Sequence, residues 1–430
     1  MRARSFDLRS PTGIALGTIL SIAACSSKEE IAPEPPPTAT DAGADAALEP
    51  EGAPPVDAGN DVTAADVCSP SLGLSRPLPA CSNETPCDRP APELKGEILR
   101  VASTPPTCPS AMQLDTSDVA GFRRYACIRS PASATTATKR PLVLWFHPGG
   151  EGADNVAETQ LVSRAATYEL GAPGDQGFHL VVVQGRNLRF PTRQPRDGRH
   201  HDFYHRDMAS PSKNPDIAYA DALVDRLVAN GTVDPKRIYV MGWSNGGFFG
   251  QLYAIARRNA ATPGGSKVAA AAVFATANPF EDVRWDPFAN VAKANASSCR
   301  LAKIPSSAVP VMLVYRTCDA AVAATPAQAT CFDTEPGYVT EPWLTEAAAA
   351  GLAYTPLRLG GRETGPDLDQ PVAAATNPTC TPTSCTPTVT AGCLCLVNHL
   401  IWPDGVYPNA SSNIDHEVDM LEFLKTHPLP

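Results

Sequence analysis

The stretch "RIYVMGWSNGGFFGQLYAIAR" (237–257) sets one serine, Ser244, among the glycines Gly242, Gly246 and Gly247. A serine hydroxyl is a weak nucleophile until geometry and a neighbouring base activate it, so its setting decides whether it can do chemistry. Ile238, Tyr239 and Val240 read as a buried strand, and from Phe248 onward the spacing predicts a helix with an apolar face. The junction between them leaves no room for a loop, which puts Ser244 on a very tight bend. Gly242-x-Ser244-x-Gly246 is the pattern of a nucleophile elbow: the hydroxyl projects above the ends of the strands, and side chains two positions either way would meet backbone. The following helix points its N-terminus at the site, where developing negative charge is favoured. A glycine-rich turn with a structural serine is the competing reading.

Other groups able to do chemistry lie downstream and in one long loop. "RNLRFPTRQPRDGRHHDFYHRD" (186–207) carries His200, His201, His205, Asp202 and Asp207. No helical or strand spacing fixes these groups as metal ligands, so they read as a polar loop facing a substrate, and no metal is assigned. Arg186, Arg189 and Arg193 are candidates to hold an anionic part of that substrate. His416 starts an apparent terminal helix with Met420, Leu421 and Leu424 on its buried face, and His427 lies in the tail. Cys380, Cys385, Cys393 and Cys395 could hold zinc or form disulfides.

The elements that must position these groups alternate along the chain. "PLVLWFHPGG" (141–150), "FHLVVVQG" (178–185), "RIYVMG" (237–242), "KVAAAAVFAT" (267–276) and "VPVMLVYRTCD" (309–319) are apolar runs without alternation. "DIAYADALVDRLVANG" (216–231) has helical spacing and ends at Asn230-Gly231. Buried strands separated by helices predict an α/β class with a mostly parallel sheet covered on both faces. Segments 278–306 and 361–392 interrupt the rhythm, the second as a polar, disulfide-braced insertion. One further strand-like stretch, "RRYACIRS" (123–130), precedes it.

Charge and cysteine usage bound the setting. The 430 residues carry a net charge of −10, which argues against a nucleic-acid partner. Arg2, Arg4 and Arg9 precede the 12-residue apolar run "GIALGTILSIAA" (13–24), too short for a bilayer that needs about 20 residues. Ile22-Ala23-Ala24-Cys25 resembles a bacterial lipoprotein box, so residues 1–24 are expected to be a signal peptide and Cys25 the lipidated first residue, anchoring the chain to the cell envelope. An ordinary signal peptide is the alternative, and export follows from either. Residues 25–67 are Ala-, Pro-, Asp- and Glu-rich and are expected to be a disordered tether. Residues 68–135 are expected to form a Cys-rich N-terminal extension packed on the body, and 136–430 the domain that holds the candidate chemistry, the catalytic domain if Ser244 is a nucleophile. Of 13 cysteines, 12 remain after Cys25; five precede residue 130 and seven follow it. With both groups odd, full pairing requires a bridge between them, and an oxidising compartment favours disulfides over zinc.

From Asp216 through "ADALVDRL" and "VDPKRIYVMGWSNGG" into the next helix, the chain resembles the α/β-hydrolase esterases of the polyhydroxybutyrate depolymerase and feruloyl esterase type. The resemblance covers about 136–430 and implies an acid after the nucleophile and a histidine last. "PVMLVYRTCDAAV" (310–322) looks like that family's strand ending in a Thr-x-Asp-x-x-Val turn, which makes Asp319 the acid. Tyr315 and Arg316 depart from the usual His-Gly there, and Cys318 is expected to bridge and pin this loop. "CLVNHLIWPDG" (395–405) resembles the Gly-His-x-Trp-Pro segment and nominates His399 as base, with Asn398 in place of the glycine and one extra residue before Trp402; His416 is the competitor. The implied oxyanion donors are the N–H of Asn245 and that of Gly149 or Gly150 in "HPGG", while His147 reads as a turn residue. Trp243 either lines the acyl pocket or packs beneath it. The expected activity is serine ester hydrolysis without a cofactor, on feruloyl or acetyl carbohydrate esters or hydroxyalkanoate oligoesters. A serine peptidase of the same fold, and an inactive surface-displayed binding protein, are the alternatives.

Overall fold

The computed structural model describes residues 103–119, 121–187, 199–203, 208, 210–258, 267–280, 285–286, 291–292, 304–316, 319, 321–326, 329, 338–359, 398–406 and 414–430. The expected signal peptide, Cys25, the tether, insertion 361–392 and ten of the remaining cysteines lie outside these residues, as do Arg189, Arg193, His205 and Asp207. Among the described residues there are ten strands: β1 (Gln113–Val119), β2 (Phe122–Arg129), β3 (Arg140–Phe146), β4 (His179–Val183), β5 (Val233–Trp243), β6 (Ala270–Phe274), β7 (Trp285–Asp286), β8 (Val291–Ala292), β9 (Pro310–Arg316) and β10 (Ala353–Leu359). Five α-helices accompany them: α1 (Leu161–Thr167), α2 (Pro215–Ala229), α3 (Asn245–Arg258), α4 (Thr340–Ala349) and α5 (His416–Lys425). None of these is long and apolar enough to cross a membrane.

Eight strands form one sheet in the order β1-β2-β4-β3-β5-β6-β9-β10. β1 and β2 pair antiparallel, β2 runs antiparallel to β4, and every later pairing is parallel. β7 and β8 make a separate two-stranded ladder inside the first interruption. The apolar runs are central strands: every residue of β3, β4 and β6 is buried. Side chains alternate between faces, so Leu142, Leu144 and Phe146 of β3 join one core with α2, α3 and α4. Val143 and Trp145 join the opposite core with α1 and α5, so helices cover both faces. Removing a side chain the size of Leu or Phe from water contributes about 1.5–3 kcal/mol, so these two apolar layers stabilise the sheet at its centre.

The sheet starts upstream of the boundary read at residue 136. β1 and β2 lie within 68–135, so that extension contributes two strands to the sheet, and a disulfide joins Cys108, before β1, to Cys127 on β2. That bridge joins two cysteines of the N-terminal group and leaves it odd, so the pairing argument for a crossing bridge is unchanged.

α2 begins where the sequence has Asn214-Pro215-Asp216. The Asn214 side chain caps it by accepting from the N–H groups of Asp216 (2.9 Å) and Ile217 (3.3 Å), and Pro215 occupies the first helical position. At its far end Gly231 takes φ +79°, the left-handed turn that stops the helix after Asn230. Buried Asp216 is the hub of a charge quartet. Its Oδ1 meets Arg124 Nη2 at 2.5 Å and Arg186 Nε at 2.9 Å, and Oδ2 accepts from the Asp202 N–H at 2.7 Å. Arg186 also reaches Asp202 Oδ2 at 3.0 Å. Burial alone would raise the pKa of Asp216, but Arg186 and Arg124 hold it well below the usual carboxylate range. The quartet joins β2, the chain after β4, segment 199–203 and α2.

Removing one charge from this quartet strands its partners in the interior. Asp216→Asn is expected to lower stability by about 3–5 kcal/mol, read as a fall in the urea midpoint with an unchanged slope. A midpoint within experimental error of the wild type would mean that the quartet does not hold segment 199–203.

Candidate active site

β5 passes into α3 with Ser244 as the only residue between them. Ser244 has φ +53°, in the left-handed region that L-residues avoid. Two backbone bonds hold it there: its N–H donates to the Phe274 carbonyl and its carbonyl accepts from Phe248 N–H, each at 2.9 Å. The flanking glycines are required by contact. A Cβ on Gly242 would stand 2.3 Å from the Gly246 carbonyl oxygen, and one on Gly246 would stand 2.0 Å from that of Phe146. The bend is thereby wedged against the end of β3, at the carboxyl edge of the sheet.

Three side chains meet at this edge. His399 Nε2 lies 2.8 Å from Ser244 Oγ, and His399 Nδ1 lies 2.9 Å from Asp319 Oδ2. Asp319 is buried just beyond β9, and its Oδ1 accepts from the N–H groups of Ala321 and Val322, both at 2.8 Å. Those bonds fix the carboxylate so that Oδ2 faces the imidazole. The arrangement allows His399 to receive a proton at Nε2 while Asp319 keeps Nδ1–H oriented. His416 is not part of it, since its Nδ1 pairs with Asp419 on α5 at 2.8 Å.

The segment carrying His399 is held by side chains from two strands. Trp243 Nε1–H donates to the His399 carbonyl at 2.9 Å. Arg316 donates from Nη1 to the Asn398 carbonyl at 2.9 Å and to that of Ile401. Trp243 is buried, and its ring packs near Phe274 and Trp402. Trp243 is thus packed among buried aromatic rings next to the segment that carries His399. Trp402 in turn donates to Glu417 on α5 at 2.6 Å.

On the other side of Ser244 stands the turn after β3. Gly150 has its N–H bonded to the Arg199 carbonyl at 2.9 Å, so Gly150 is corrected as an oxyanion donor. Gly149 and Asn245 keep backbone N–H groups with no acceptor among the described residues, and a Cβ on Gly149 would lie 3.2 Å from the Asn245 Cβ. These two neighbouring donors can take a developing oxyanion. His200 also borders Gly149, its Nε2 standing 3.3 Å from the same Cβ position. The Asn245 side chain braces the adjoining segment, accepting from His201 N–H at 2.7 Å and donating to the His201 carbonyl at 3.1 Å.

The polar loop read from the sequence divides accordingly. Arg186 and Asp202 are buried in the quartet, so neither faces a substrate; the anion-holding role of Arg186 is corrected. His201 is also buried, its ring 4.4 Å from that of His147 and stacked on Phe249 at 5.4 Å. His147 accepts from Gly185 N–H at Nε2 (2.9 Å) and donates from Nδ1 to the Pro148 carbonyl (2.8 Å), the pattern of a neutral ring supporting the turn. Of this loop's described histidines, His200 alone borders the site. Nothing in the local sequence distinguishes it from His201; in the fold His200 pairs with Arg186 in an isolated antiparallel bridge.

Strand order, the bend after β5 and the chain order of serine, carboxylate and imidazole make this an α/β-hydrolase fold. No protein-family model matches the chain, and no curated protein matches it. Among solved structures it is similar to the dipeptidyl peptidase 4 of Porphyromonas gingivalis, with 14% identity over 57% of this chain and 31% of that one and a TM-score of 0.33. It is similar to EstE1, a thermophilic carboxylesterase cloned from a metagenomic library, with 17% identity, 61% and 82% coverage and a TM-score of 0.35. A carboxylesterase from Mesorhizobium loti gives 13% identity, 60% and 94% coverage and a TM-score of 0.35. The chain thus spans under a third of the peptidase and most of each esterase.

Two outcomes follow from this packing. Gly246→Ala must push backbone apart, and is expected to cost about 3 kcal/mol, measured by chemical unfolding. Burial holds His147 down to about 4, and burial together with His147 holds His201 well below its ordinary 6.5. The unfolded chain therefore binds more protons below pH 6.5, and stability present above that pH is lost as pH falls. His201→Phe, which suits the aromatic surroundings, should gain on the wild type between pH 8 and pH 5. An equal difference at both pH values would contradict this.

Proposed function

We propose that the protein is an exported serine esterase that hydrolyses carboxylic esters through an acyl-enzyme. The observation that carries the reading is the unbroken hydrogen-bonded chain Asp319–His399–Ser244, ending on a hydroxyl projected by a left-handed backbone. Ser244 Oγ attacks the ester carbonyl carbon while His399 Nε2 takes its proton. The carbonyl oxygen becomes an oxyanion beside the N–H groups of Asn245 and Gly149, with the first turn of α3 adding its positive end. As the tetrahedral intermediate collapses, His399 gives its proton to the departing alcohol and Ser244 keeps the acyl group. A water then loses a proton to His399 and adds to the acyl carbon. The second collapse returns that proton to Ser244 Oγ and frees the carboxylic acid. Asp319 stays ionised and stabilises the imidazolium in both halves.

Feruloyl or acetyl carbohydrate esters and hydroxyalkanoate oligoesters are the proposed substrate classes, on the strength of the resemblance around Asp216 to Gly247. Export with a lipid on Cys25 belongs to the same proposal. It is supported by the basic and apolar segments before that cysteine and by the even number of cysteines after it.

The test uses the purified mature chain with p-nitrophenyl acetate and butyrate. Ser244→Ala is expected to lower kcat by about 10⁴-fold, and a fluorophosphonate should label Ser244 alone. Turnover that survives the substitution, or a label on another residue, would refute the reading.

A further inference from the structure

We propose that Arg316, with Trp243, is a positioning residue that sets the place of the His399 imidazole. The inference rests on the reading of His399 as the general base. Backbone carbonyls at 398, 399 and 401 all accept from side chains: Asn398 and Ile401 from Arg316 Nη1, and His399 from Trp243 Nε1. The histidine is therefore gripped at its own peptide and on both sides of it. The two anchors are also chain neighbours of its partners. Trp243 immediately precedes Ser244, and Arg316 ends the strand that delivers Asp319 three residues later. One frame thus locates nucleophile, base and acid relative to each other.

The chemistry of Arg316 argues that this is more than packing. Its guanidinium is completely buried and lies 4.8 Å over the Phe274 ring. A buried cation is costly unless its donors are used, and an apolar side chain would fill the same volume more cheaply. Here one Nη1 amino group spends both of its hydrogens on carbonyls that bracket His399. A planar, always charged group with several fixed donors can bridge two acceptors and stack on a ring at once. The triad distances of 2.8 and 2.9 Å require the imidazole to be held on both of its nitrogens. A displacement of about 1 Å at such a site costs up to about 100-fold in rate.

The experiment is a double-mutant cycle of Arg316→Met and His399→Ala, assayed with p-nitrophenyl butyrate and checked for folding by circular dichroism. In the otherwise wild-type chain, Arg316→Met is expected to lower kcat by about 10- to 100-fold and to change KM by less than about threefold. In the His399→Ala chain it should leave the residual rate unchanged within about twofold, because a residue acting through the imidazole has nothing left to act on. Trp243→Phe, which keeps the ring and loses the N–H, should follow the same pattern with a smaller loss. If Arg316→Met does not fold, Arg316→Lys, which keeps the charge and shortens the reach, takes its place in the cycle. An equal fold loss in both backgrounds, or full activity in a folded Arg316 variant, overturns the positioning role alone. Wild-type turnover in Ser244→Ala or His399→Ala overturns the esterase reading and this inference together.

Discussion

Backbone passes so close to backbone at Gly246 that a single added carbon would sit 2.0 Å from the Phe146 carbonyl oxygen, and the site is organised around that contact. It lets α3 start one residue after β5, which lifts Ser244 over the carboxyl edge of the sheet. It also puts Asn245 beside Gly149 in the turn after β3. The left-handed backbone of Ser244 costs on the order of 1–3 kcal/mol, and the bonds to Phe274 and from Phe248 hold it in place. α3, buried along almost its whole length, anchors the strained residue to the centre of the fold.

Two supports of different kinds flank this bend. On one side, segment 199–203 is fixed by the buried quartet at Asp216 and by the paired bonds between Asn245 and His201. On the other, the histidine segment is gripped by Arg316 and Trp243, and Trp402 ties it to α5 through Glu417. In the first, the carboxylates of Asp216 and Asp202 meet the guanidinium groups of Arg124 and Arg186; in the second, Arg316 Nη1 and Trp243 Nε1 donate to backbone carbonyls. These pairings reduce the cost of keeping such groups in the interior.

The legible part of the sequence was the part governed by local pattern. Central strands such as "HLVVV" and "AAAVF" are buried on both faces and read as apolar runs. The edge strands do not: β1 is "QLDTSDV" with no fully buried residue, and β10 contains Pro356 and buries only its last residue, Leu359. α1 and α4 are short and follow no strong apolar spacing. In the site, Ser244 was legible because its neighbours in sequence are its neighbours in space. Asp319 and His399 came from resemblance, since only the folded sheet brings residues 80 and 155 positions apart into contact. Arg316 was visible only as a departure from the pattern the chain resembles, because its acceptors lie more than 80 residues away and no spacing reveals them. Arg186 misled for the converse reason. A loop arginine looks solvent-facing until the quartet beneath it is known.

The backbone at Ser244 also discriminates between side chains before any reaction occurs. At φ +53° a second substituent on Cβ is crowded by its own main chain, so branched residues are poorly tolerated. Threonine carries the same functional group and would be refused on steric grounds, whereas cysteine would be admitted unbranched. The exclusion of threonine from this position is thus made by torsion angle, which leaves serine and cysteine as the side chains that can present a nucleophilic atom there.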